Sequence, residues 1–392
     1  MFRQIFMVSE EDIVKKVSAF ILLFFISSIF LSNTAHAHPY SAAFTTLYLV
    51  NENVQIVYSI DVESVEESIH DLHHEDDHDH GSESFKRTIL EVQDQIDEWM
   101  QQNLHIYIDG EKASLEMLDL KLNMIEKTKV VTAVYQLPNV ENGQSFKLVD
   151  EFYSQTKDGN YVNFLTVQQP EQSTKVALQG ESREWMAIVE GLVEGTESVY
   201  ESEVELAPGV EKTDFWSFFK LGMHHILTGY DHLLFLLALI IRPQRVRDLV
   251  AIITAFTVGH SITIALGTLE IISLPSQLVE IVIALSICYV AIENIFKKEI
   301  KYRWLITVLF GLIHGLGFST LIRESLSGDS SIIVELLAFN LGIEVMQLAL
   351  ALIVIPVMLF AYKKLDSKKI VVPVSLAVSL MGAIWTVQRF FE

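Results

Sequence analysis

The sequence predicts a chain in two parts: a β-rich extracytoplasmic domain, and after it a multi-pass α-helical membrane bundle of about six transmembrane helices. Three observations predict this. Half of the 392 residues are hydrophobic and the mean hydropathy is +0.34, which is too apolar for one soluble domain. The charge is divided unevenly: residues 38–215 carry 11 basic and 35 acidic side chains, net −24, whereas residues 216–392 carry 14 and 12, net +2. Finally, the apolar runs after Phe215 approach the roughly 20 residues that cross a bilayer, and those before it are short and mixed. The expected boundaries are a signal peptide at 1–37, an acidic domain at 38–210 and a membrane domain at 211–392.

The first element is an export signal. Lys15 and Lys16 precede an apolar stretch from Val17 to Leu31, and Ala35-His36-Ala37 places small residues where a signal peptidase selects its site. Cleavage after Ala37 would start the mature chain at His38. Runs of β-branched and aromatic residues predict strands at 44–50 and 54–60, joined as a hairpin by Asn51-Glu52-Asn53, and further strands at 105–108, 130–137, 146–152 and 161–167. Ile89, Val92, Ile96 and Met100 recur at helical spacing and predict a helix over 85–104. Glu197–Glu205 is an acidic linker closed by Pro208-Gly209. Six spans follow, at 216–241, 248–269, 276–296, 304–323, 332–362 and 370–391, with Gly229 a candidate break in the first. The loops after the first, third and fifth spans hold 11 Lys and Arg; the two alternate loops hold none. That asymmetry predicts a plasma-membrane protein whose acidic domain and C-terminus lie outside the cytoplasm.

Net acidity argues against nucleic acid as a partner and suits a surface that gathers cations. The single cysteine, Cys288, excludes an intrachain disulfide or a Cys-based zinc site. No Gly-x-x-x-x-Gly-Lys-Ser/Thr loop occurs, so nothing points to nucleotide hydrolysis by that route. Polar groups inside apolar spans are costly and mark function or helix pairing. The candidates for metal ligation are His225, Asp231, His232, His260, His314 and Glu344, four of which (His232, His260, His314 and Glu344) fall in the middle third of their spans. Asn340, Gln347, Glu293 and Asn294 are the supporting polar residues; Asn340, Glu344 and Gln347 share one helix face. Imidazole and carboxylate suit a divalent transition ion. Outside the membrane, His70, His73, His74, His78 and His80 alternate with five acids within eleven positions, a composition that builds no core and offers many loose ligand sets. His38 adds a candidate accessory ligand.

These motifs carry a resemblance. Gly222-x-x-His225-Ile-Leu-x-Gly229-x-Asp231-His232-Leu-Leu-Phe, Phe256-Thr-x-x-His260-Ser-Ile-Thr, Glu293-Asn294, Phe310-Gly-Leu-x-His314-Gly-Leu-Gly-Phe and Phe339-Asn340-x-Gly-x-Glu344-x-x-Gln347 resemble, in order, the motif series of the HupE/UreJ family. The likeness covers roughly residues 215–391; the front half resembles the longer branch of that family more loosely. It departs from the short members in Ile226, where they carry proline after the leading histidine. The resemblance implies a permease for nickel or cobalt, with the bilayer, the ion and the metalloenzyme maturation machinery as partners, and no enzyme activity. Two other readings fit the same inventory: a b-type haem electron carrier with axial histidines, and a membrane metal sensor or accessory factor that transports nothing. A hydrolase built on Ser261 fits poorly, because its neighbour His260 points about 100° away around a helix.

Overall fold

The computed structural model of the chain describes residues 41–69, 92–125, 128–137, 139–153, 161–170, 172–192, 210–297, 302–325 and 332–391. The expected signal peptide, His38, the His70–His80 segment and the Glu197–Glu205 linker lie outside the described residues. The chain forms two compact units, one of Pro39–Leu221 with Glu324–Glu335 and one of Gly222–Arg323 with Leu336–Glu392.

The first unit is built on two sheets. β1 (Ser41–Tyr48) and β2 (Val54–Asp61) form the expected antiparallel hairpin, with Ala43 opposite Ile60. Asn51 accepts the Asn53 amide at 3.1 Å to close the turn. Next come a short helix, α1 (Val62–Ser68), capped by Asp61, and α2 (Gln93–Asn103), which buries Ile96 and Met100. The remaining strands are β3 (Leu104–Ile108), β4 (Glu111–Lys112), β5 (Glu116–Ile125), β6 (Thr128–Leu137), β7 (Ser145–Asp150), β8 (Tyr161–Gln168), β9 (Gln172–Gln179), β10 (Glu184–Ile188) and β11 (Val210–Thr213). Seven strands order as β11-β9-β8-β1-β2-β6-β5 and four as β10-β7-β3-β4. β1 pairs with β8 in parallel, so the hairpin is stitched to a strand more than a hundred residues later. One core draws on both sheets, with Tyr58 and Tyr135 from the larger and Phe146 and Leu148 from the smaller, all fully buried.

The second unit is helical. α3 (Phe215–Thr228), which begins within the first unit, and α4 (Tyr230–Ile240) are followed by α5 (Val246–Thr268), α6 (Ser276–Phe296), α7 (Arg303–Ser325), α8 (Ile332–Lys364) and α9 (Ser367–Phe391). α5, α6, α8 and α9 are long and apolar enough to cross a membrane, and α3 with α4 makes a fifth span if the bent pair is counted as one. The described residues therefore give up to five membrane-capable spans where the sequence predicts six. The difference lies in α7, whose described apolar part, Arg303–Ser319, is shorter than the rest. Gly311, His314, Gly315 and Gly317 interrupt its apolar run. Those glycines serve packing: a Cβ on Gly311 would collide with the Phe256 carbonyl, and one on Gly315 with the His260 carbonyl and the Thr263 hydroxyl. On the facing helix, a Cβ on Gly259 would strike the Val308 carbonyl. α5 and α7 thus meet backbone to backbone, which the absence of side chains at these positions permits.

Candidate metal centre

The centre is organised by a broken helix. α3 ends at Thr228 and α4 starts at Tyr230, with a bend of 73° between them. Gly229 caps α4 at φ −74° and ψ 92°, an extended conformation that ends the first helix. Space demands a glycine there: an added Cβ would lie 2.7 Å from His232 Nδ1 and 2.8 Å from the His225 carbonyl. The break turns His225, on the last turn of α3, and His232, on the first turn of α4, toward each other, with ring centroids 4.6 Å apart. His260 of α5 lies 5.9 Å from His225 and 6.0 Å from His232, and His314 of α7 lies 5.2 Å from His232. All four imidazoles are buried.

Hydrogen bonds set which nitrogens face inward. Asp231 Oδ1 accepts from the His232 amide at 2.8 Å and lies 2.9 Å from His232 Nδ1. A carboxylate only accepts, so Nδ1 carries the proton and Nε2 keeps its lone pair. The Ser286 hydroxyl of α6 spends its proton on the Ile283 carbonyl at 2.6 Å, so it accepts from His314 Nε2 at 3.0 Å and leaves His314 Nδ1 as the lone-pair nitrogen. Nε2 of His232 and Nδ1 of His314 are buried with no hydrogen bond among the described residues. Neither nitrogen of His260 makes a bond of regular geometry there, although Asn340 of α8 stands beside it. Buried lone pairs without donors are costly unless something else satisfies them.

Two groups of side chains bring ligand atoms within 4.8 Å of one another: His225, His232 and His260, and Asp231, His232 and His314. His232 belongs to both. Asp231 also sits in the first turn of α4, where its charge offsets the positive end of that helix, which would otherwise repel a cation. Phenylalanines enclose the cluster. Phe256 lies 6.1, 5.8 and 5.1 Å from the rings of His232, His260 and His314; Phe235 lies 5.2 Å from His314, and Phe318 4.3 Å from His225.

Not every expected ligand arrives. Glu344 belongs to neither group; its Oε1 accepts the Thr254 hydroxyl at 2.7 Å, and Gln347 accepts that of Thr257 at 3.2 Å, forming a polar ladder between α5 and α8. Asn340 returns its amide to the Leu336 carbonyl at 2.8 Å. Glu293 and Asn294 act elsewhere. Asn294 donates to the Ala238 carbonyl at 2.7 Å, joined there by Arg303 at 3.1 Å, while Glu293 pairs with Lys297 at 2.8 Å. Asn294 and Arg303 thereby fasten the far end of α4. Sequence reasoning missed Ser286, whose signal is a lone hydroxyl in the apolar run of α6, and the phenylalanine shell, which gives no signal because phenylalanine in a membrane span is ordinary.

Residues 201–389 match the family model described as HupE / UreJ protein. None of the curated proteins compared with the chain matches it.

Proposed function

We propose, from the HupE/UreJ domain that residues 201–389 constitute, that the protein is a membrane permease for a divalent transition ion, with nickel or cobalt the cargo that the family favours. One observation carries the reading: buried imidazoles from the two halves of a broken helix and from α5 and α7 converge around His232, and Nε2 of His232 and Nδ1 of His314 keep lone pairs that no donor meets among the described residues. Imidazole with one carboxylate and no thiolate matches borderline ions and disfavours copper(I) or iron–sulfur chemistry. Discontinuous helices that place ligands near mid-bilayer are a common device of transporters, because the break frees backbone and side chains to face a cargo. Asp231, bonded to His232 Nδ1, holds that ring's orientation, as carboxylates do behind metal-binding histidines. The phenylalanine wall excludes water, so an ion exchanges its hydration shell for nitrogen ligands on entering.

The loop charges support an orientation in which the acidic N-terminal domain and its His70–His80 segment face the outside. There they would raise the local ion concentration before capture. Glu344 and Gln347 are assigned to the path beyond the cluster, and Glu293 and Asn294 to its scaffold. Uptake of nickel and cobalt into proteoliposomes, run with the wild type and His232→Ala side by side, tests the reading. Uptake should be lost in the variant while insertion persists, since insertion follows apolar length and loop charge. A wild type that accumulates neither ion would leave only the sensor or accessory role.

A further inference from the structure

We infer that the cluster offers a single ion two positions that share His232, and that the ion passes between them by exchange of ligands around that imidazole. The inference rests on the permease reading and adds how the centre is occupied. The first position is nitrogen only: His225, His232 and His260, drawn from α3, α4 and α5. The second is His232 and His314 with the Asp231 carboxylate, drawn from α4 and α7. Each set has three protein ligands, which leaves a tetrahedral ion one open coordination place. That place lets Asp231 or His314 bind before His225 or His260 lets go. The ion therefore need never be bare inside an apolar bundle, where an unpaired charge is expensive.

Two observations favour movement over a fixed four-histidine cage. Ser286 holds His314 so that its Nδ1 is buried without a hydrogen-bond partner among the described residues, and His314 joins His232 in the group that does not contain His225. The same Phe256 ring touches His232, His260 and His314, a continuous wall along which the ion can shift. Charge limits occupancy to one. Asp231 is the only carboxylate among the five ligands, so two divalent ions at such short range would face each other with a single negative charge in a medium of low dielectric. Conduction also needs a site weak enough to leave, and two partial sites achieve this where one complete cage does not.

Cobalt(II) serves as the probe, bound to the purified full-length chain in detergent, with His232→Ala as the background for the ligands elsewhere in the chain. The wild type should bind one cobalt above that background. His225→Gln and His314→Gln should each retain one cobalt, roughly 10- to 100-fold weaker. Their visible spectra should differ from each other, because one variant keeps an oxygen ligand and the other does not, and neither should transport. The wild-type spectrum should be a weighted sum of the two, a measurement that needs no variant to transport or to match wild-type stability. Complete loss of the ion in either Gln variant would overturn the inference in favour of one fixed cage. Two cobalt ions above background, or near-normal uptake by either variant, would overturn it as well. Wild-type protein that binds one cobalt with a two-component spectrum yet accumulates no metal would refute the permease reading alone.

Discussion

Asp150 has no exposed surface, and its carboxylate gathers a polar network inside the β unit. Tyr161 and Asn163 donate to Oδ2 at 2.8 and 2.6 Å, the Phe152 amide donates to Oδ1 at 3.0 Å, and Tyr58 bonds the Tyr161 hydroxyl at 2.8 Å. Burial outweighs these bonds and the nearby Arg183, and pushes the carboxyl up to about 6. The folded value therefore exceeds the unfolded one. Stability is greatest below the unfolded value near pH 4, falls as pH rises to about 6, and is then flat; a shift of this size corresponds to about 3 kcal/mol. Hydrogen exchange of the β7 and β8 amides across that range should show the decline in the wild type and none in Asp150→Asn. Equal decline in both would assign it to other groups. At this scale the membrane histidines were legible from sequence, because a titratable group in an apolar run announces itself. Asp150 was not, since one more acid in an acidic domain carries no mark until the fold buries it.

At the scale of elements, the seam between α5 and α7 fixes the relative placement of His260 and His314. Gly315→Leu should force those helices apart and cost about 1–3 kcal/mol, the usual penalty of overpacking, read as a lower unfolding temperature together with lost uptake. Unchanged unfolding would mean that the backbone contact is dispensable. The ladder from α5 to α8 is testable separately. A double-mutant cycle on Thr254→Val and Glu344→Ala should return a coupling of about 0.6 kcal/mol and no more than about 1.7, as for other hydrogen bonds between membrane helices; zero coupling would detach Glu344 from Thr254. The break at Gly229 and the close approach at Gly311 and Gly315 were readable from spacing. β5 was missed although Met117, Leu120, Leu122 and Met124 lie among polar residues, because a bulge between Met117 and Asp119 breaks the strict alternation. β9 opens on Gln172-Ser173-Thr174-Lys175, a polar run that reads as loop until its neighbours β8 and β11 give it partners.

For the whole molecule, charge and ligand type divide the labour: an acidic, histidine-laden half and a nearly neutral apolar half. Removing residues 70–80 should raise the metal concentration needed for half-maximal uptake and leave the maximal rate unchanged, because a loose ligand cluster aids capture without shaping passage. Loss of transport at saturating metal would contradict that role. A reporter that works only in the cytoplasm should be silent at the C-terminus, and activity there would reverse the orientation. The backbone seam described above also bears on how such a chain can diverge. Gly259, Gly311 and Gly315 admit no replacement, whereas Val258, Ile262 and Leu309 on the exposed faces of the same helices tolerate any apolar neighbour in kind. A library randomised at the three glycines should therefore yield only clones without uptake, whereas one that exchanges apolar residues at Val258, Ile262 and Leu309 should keep it.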